Sequence, residues 1–225
     1  MENDVKIKAE KLFAFLWFFS FIWFFAAQAL VGSAWHDPAY NWREQNVSDL
    51  GQIGYPLSFL MNIAFILQGA VMAAGVWLIK VIWHRTLLPA IARTMLVLTG
   101  AGFIIVGLTP YNVIPFVHSF FGAFPVMLFS SAGLILAGLA NCRKSCGSFW
   151  IVTIALGLAS LASGILYFTG HYLFLGKGAM ERIWIYAPLV WTLVISCRVI
   201  FLFRRPALQD ANDCADNNRN QYLRN

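Results

Sequence analysis

An all-α integral membrane fold, a six-transmembrane-helix bundle with both termini in the cytoplasm (N-in/C-in), is what these 225 residues predict. Three observations carry the prediction. Six apolar runs approach the ~20 residues that one helix needs to cross a bilayer. Hydrophobic residues make up 60% of the chain and charged ones only 12%. The cations also sit almost entirely on one side of the runs, as the positive-inside tendency requires of the cytoplasmic side.

The first run, Leu12–Val31, follows Lys6, Lys8 and Lys11, and Ala27-Gln28-Ala29 near its end resembles a signal-peptide cleavage site. A run of about 20 residues exceeds the 7–15 of a secretory apolar core, so a retained helix is expected. The second run is Leu57–Ile79. The third is Met95–Leu108, extended back to about Leu87, and the fourth is Val117–Ala140. Phe149–Phe168 and Ile183–Phe203 complete the six. In lipid each backbone polar group must be satisfied within its own segment, so these runs are helices.

Of 16 lysines and arginines, only Arg43, Lys177 and Arg182 fall at the end shared by the first, third and fifth connections. The other cations, from Lys6 to Arg224, assign the opposite end to the cytoplasm. The net charge of +6 thus reflects topology. Its scatter over short segments, with no basic stripe, excludes nucleic acid as a partner. Cys142, Cys146, Cys197 and Cys214 all fall in or near cytoplasmic segments, where thiols stay reduced.

One domain is expected: residues 1–11 as a cytoplasmic N-terminus, 12–205 as the membrane domain, and 206–225, rich in Asn and Asp, as a disordered cytoplasmic tail. Small residues four apart predict close helix packing. They are Gly69 with Ala73, Ala70 with Ala74, and Ala155, Ala159 and Ser163 beside Ser160 and Gly164. Pro56 and Pro115 are expected in first helical turns, and Pro125 and Pro188 should kink the fourth and sixth spans. Arg93 and Arg198 lie close enough to the cytoplasmic ends for their side chains to snorkel. Gln28, Asn62 and Gln68 need internal partners.

The far side holds few cations but most other polar chemistry. His36, Asp37, Arg43, Glu44, Asp49, His118, His171, Glu181 and Arg182 are there, with Asn62 just beneath. Trp35, Tyr40, Trp42 and Tyr55 suit an interfacial belt. Asp49 with Gln52 three residues on fits a capping-box-like helix start, and a catalytic carboxylate is the alternative. Glu181 is expected in the first turn of the sixth span. Arg182 could clamp a carboxylate or lipid phosphate, or simply pair with Glu181 or Asp49.

Val47-Ser48-Asp49-Leu50-Gly51, Asn62 and Gly69, Pro110 and His118, and Gly178-Ala179-Met180-Glu181-Arg182 together resemble the six-helix membrane family catalogued as domain of unknown function 998. The similarity covers roughly Leu12 to Phe203. More distantly, the first motif is similar to a eukaryotic six-helix group of lipid-remodelling and autophagy-modulating membrane proteins. The resemblance implies the fold and the site residues Asp49, Asn62, His118, Glu181 and Arg182. It implies no activity, and His36 and His171 lie outside its motifs.

Two functions follow. In the first, an outer-mouth site binds or acts on a membrane lipid or an amphipathic small molecule. His118, Asp49 and Glu181 would serve as acid–base groups, with Arg182, Asn62, His171 and His36 binding substrate. No Gly-x-Ser-x-Gly elbow supports a covalent route, and no His-Glu-x-x-His spacing assigns metal ligands. The sequence names no cofactor. In the second, the protein is a non-catalytic scaffold, partner subunit or resistance/immunity protein, assembling as a homo- or hetero-oligomer. The expected location is the bacterial cytoplasmic (inner) membrane.

Overall fold

A computed structural model describes residues 2–79, 83, 86–141 and 149–202, with the side chains of residues 2–7 and 202 left aside. The expected tail at 206–225 and Cys142, Cys146 and Cys214 lie outside the described residues. Among the described residues there are six long apolar helices and no sheet. They are α1 (Glu2–Ala34), α2 (Ser58–Leu78), α3 (Leu87–Leu108), α4 (Phe124–Asn141), α5 (Phe149–Phe168) and α6 (Lys177–Leu202). A π-helical stretch, Val117–Ala123, leads into α4, and a 3₁₀ turn, Ser48–Gly51, lies in the first connection. Successive helices pack as neighbours and α6 closes back on α1. The first, third and fifth connections therefore share one end of the bundle.

Aromatic side chains fill the centre. Phe24 meets Phe65 edge-on at 5.2 Å, Phe65 stacks near Phe103 at 6.1 Å, and Trp17 lies 6.0 Å from Trp191. The Trp17 indole also donates to the Val71 carbonyl at 2.8 Å, tying α1 to α2.

Small residues set the closest helix contact. A Cβ added to Gly100 on α3 would stand 2.6 Å from the Gly69 carbonyl oxygen and 2.8 Å from Ala73 Cβ on α2. Backbone cannot yield as a flexible side chain can, so Gly100→Ala should destabilise the detergent-solubilised protein by about 1–3 kcal/mol. Thermal unfolding against wild type checks this.

Two of the expected ladders are only partly buried. Ala155 and Ala159 are exposed, whereas Ser163 is buried with Ser160 and Gly164, and Thr153 and Gly157 complete the packed face of α5. Ala70 is exposed as well. A four-residue spacing marks a helix stripe without saying whether it meets protein or lipid.

Both span prolines have local consequences. The Phe124 amide bonds to Ser119 O, five residues back, so the π-helical stretch accommodates the backbone just ahead of Pro125. Pro188 lies inside α6 and has no N–H to offer the Trp184 carbonyl one turn earlier. Ser160 Oγ on α5 donates to that carbonyl at 3.3 Å, and Ser131 Oγ on α4 donates to Ser160 Oγ at 2.9 Å. A hydroxyl chain thus joins three helices where one has lost a bond. Pro56 stands outside α2, which begins at Ser58 after Leu57 in a left-handed conformation. The Arg93 and Arg198 guanidinium groups settle over the Trp77 and Phe149 rings, at 4.5 and 4.9 Å.

Candidate functional site

At the shared end the first connection folds back over the bundle, and the start of α6 holds it there. The sixth helix begins at Lys177, six residues before the apolar run. Glu181 is therefore in its second turn, not its first, and its carboxylate does not serve its own helix terminus. One oxygen accepts the Val47 backbone N–H in a short bond, and the other accepts the Ser48 hydroxyl at 3.1 Å. Both donors open the 3₁₀ turn Ser48–Gly51. A carboxylate at the positive end of a turn whose first amides lack internal partners is favourable.

Arg182, the next residue, binds the same connection further upstream. Its Nη1 donates to the carbonyls of Trp42 at 2.7 Å, Gln45 at 3.1 Å and Gly178 at 2.8 Å. Its Nη2 donates to the Tyr40 hydroxyl at 2.6 Å, and the guanidinium lies 4.9 Å from the Trp42 ring centre. The planar fork of arginine fits this convergence of acceptors in a way lysine does not. Tyr40 in turn donates to the Asn46 carbonyl at 2.6 Å. Burial pushes the Tyr40 phenol above its ordinary pKa against the pull of Arg182, so it is a neutral donor at neutral pH.

Asp49 turns inward on its own loop. One oxygen accepts the Asn46 N–H and the other the Gln52 side-chain amide, both at 2.8 Å. The three-residue spacing from Asp49 to Gln52 does mark a local contact, in which Gln52 donates both its side-chain amide and its backbone N–H to Asp49. It caps no transmembrane helix, because α2 starts nine residues after Asp49. Asn62 on α2 donates to the Gly51 carbonyl at 2.9 Å. Gly51 and Gly178 fit the motifs for one reason: a Cβ at Gly51 would run into the Asn62 amide, and one at Gly178 into the Gln45 carbonyl.

His118 belongs to a different knot. Its Nδ1–H donates to the Thr109 carbonyl at 2.7 Å, and its ring meets Tyr111 edge-on at 5.6 Å. The imidazole is buried and closes the turn between α3 and the π-helical stretch. Among the described residues His118 shares no hydrogen-bond partner with Glu181, Arg182 or Asp49, although the charge of Asp49 acts on its ring. The knots connect indirectly, through the Asn112 side-chain amide, which bonds both the N–H and the carbonyl of Ile53 in the first connection. His36 and His171 are exposed on separate connections.

Beneath the Glu181 clamp lies a small cavity with room for about one water. Glu181 and Ser48 form its polar end, and Phe65, Phe103, Val106, Val126 and Trp184 line its apolar body.

Tyr167 is not singled out by the sequence, yet its hydroxyl and the Asn46 side chain exchange bonds at 3.0 and 3.3 Å and fasten the loop to α5. A tyrosine at a span end reads as interfacial belt, so only the fold separates the two roles. Gln28 pairs with the Tyr186 hydroxyl at 2.6 Å. Neither amide atom of buried Gln68 meets a hydrogen-bond partner among the described residues.

The family model described as protein of unknown function (DUF998) matches residues 18–198. The chain belongs to the DUF998 family. No curated protein and no solved structure matches it. The DUF998 match takes in the second half of α1, all of α2 to α5 and most of α6, together with both halves of the clamp, the Ser48–Gly51 turn and the Glu181-Arg182 pair.

Proposed function

We propose that this DUF998 protein is a non-catalytic membrane scaffold whose outer connections form a fixed surface for a lipid or a partner subunit. One observation supports this above others: Glu181, Arg182 and Asp49 are directed at the backbone of the first connection and not at an open cleft. A headgroup clamp would need Arg182 Nη donors free, and here they hold three carbonyls and a phenol. The charge asymmetry supports an N-in, C-in orientation, with this surface outside a bacterial cytoplasmic membrane.

The lipid-directed acid–base reading keeps one favourable observation. Glu181 and Ser48 face a cavity whose other walls are apolar, the setting in which a carboxylate can act as acid or base.

Substitutions at His118 separate the two. His118→Ala removes the donor to Thr109 and should cost about 1–3 kcal/mol. His118→Gln can keep that bond while losing proton transfer. The scaffold reading expects His118→Gln to retain near wild-type thermal stability and to complement a deletion strain, with any loss following stability across the series. A stable His118→Gln protein that fails to complement would replace the scaffold by the enzyme.

A further inference from the structure

The connection between α5 and α6 carries the most exposed large apolar side chain in the described structure. Phe174 is 98% exposed, with Leu173 at 60% and Leu175 at 48%. Their backbone is held in an unfavourable form, since Leu173 and Phe174 have φ of 45° and 61°. A left-handed conformation costs a non-glycine residue about 1–2 kcal/mol, and it persists only where its surroundings impose it.

Here Arg43 imposes it. The Arg43 guanidinium donates to Phe174 O at 2.5 Å and Leu175 O at 3.4 Å, and the Gly178 N–H returns a bond to Arg43 O at 2.6 Å. The first connection therefore braces the fifth so that three apolar side chains point outward. Helix α5 ends at Phe168 and α6 begins at Lys177, so a segment this close to two span ends stands at the membrane surface.

Charge decides the occupant. Apart from Arg182, enclosed in its clamp, the cations at this end are Arg43 and Lys177, and both flank this finger, while the exposed acids Asp37 and Glu44 belong to the first connection and not to the finger's own segment. Arg43 is exposed, and the Lys177 ammonium lies 5.7 Å from the Tyr167 ring centre. An apolar tip with cations at its base matches the upper acyl and phosphate levels of one leaflet.

We propose that Leu173-Phe174-Leu175 is an interfacial anchor that enters the adjacent leaflet and, with Arg43 and Lys177, selects anionic phospholipid. The inference does not rest on the scaffold reading: Gly178 serves both, its carbonyl accepting Arg182 and its N–H bonding Arg43 O, but the apolar tip and Lys177 make no side-chain hydrogen bond to Glu181 or Arg182 among the described residues.

A spin label at Phe174→Cys, with Cys142, Cys146, Cys197 and Cys214 changed to serine, tests it in nanodiscs of phosphatidylglycerol and phosphatidylcholine. The label should collide more often with oxygen than with a water-soluble nickel chelate. Native mass spectrometry should show phosphatidylglycerol retained over phosphatidylcholine, with the preference falling several-fold in Lys177→Gln, a change that leaves the Arg43 brace in place. A label freely reached by the nickel chelate overturns the proposal. A label shielded from both agents also overturns it, in favour of a protein contact. Equal retention of the two lipids removes the anionic selectivity and with it the proposal.

Discussion

Glu181→Ala should lower the stability of the detergent-solubilised protein by about 2–4 kcal/mol. The change strips acceptors from the Val47 N–H and the Ser48 hydroxyl together. Each buried group left without a partner costs about 1–3 kcal/mol. Two such groups give about 2–6 kcal/mol, and water reaching the small cavity under the clamp recovers part of this, which lowers the upper end. Glu181→Gln keeps a carbonyl acceptor for one donor but turns an amide N–H₂ toward the other, so it should fall between wild type and alanine. Chemical denaturation with the slope held constant across variants measures the series.

Arg182→Ala has the larger effect, about 3–5 kcal/mol, the range for removing one partner from a buried charged network. Three carbonyls and the Tyr40 hydroxyl lose their common donor, and Trp42 loses the cation over its ring. Arg182→Lys restores the charge without the fork. It should recover less than half of the loss, since one ammonium cannot satisfy the Trp42 carbonyl and the Tyr40 hydroxyl with the same geometry. A lysine variant as stable as wild type would mean that charge alone matters at this position.

The helices were legible because their signal is redundant: length, apolarity and charge asymmetry all mark the same six segments. Phe149–Phe168 is identical in sequence and structure. Boundaries failed where polar residues continue a helix, as Lys177–Arg182 does for α6, because hydropathy registers the bilayer and not the backbone. The site was legible only as a set of residue types at one end. Glu181 and Arg182 are adjacent in sequence, yet they act on different stretches of the first connection, with Val47 and Ser48 on one and Trp42 and Gln45 on the other. Nothing local encodes which carbonyls converge on a guanidinium. His118 looks equivalent to Glu181 by depth, but its hydrogen bond goes to Thr109, only nine residues away, whereas those of Glu181 reach the first connection at Val47 and Ser48. Ser160 shows the converse: a hydroxyl that reads as a small packing residue supports a carbonyl lacking its helical partner because Pro188 lies on a neighbouring helix.

The central claim is that Glu181 and Arg182 exist to hold the first connection against the bundle. Amide hydrogen exchange across residues 41–53, comparing wild type with Glu181→Gln and Arg182→Lys in the same detergent, tests it most directly. The account predicts strong protection of Val47 and its neighbours in the wild type. Exchange there should accelerate by an order of magnitude or more in each variant, while amides in α2 and α3 are unchanged. Protection across 41–53 that survives both substitutions would contradict it and return these side chains to the list of groups free for chemistry.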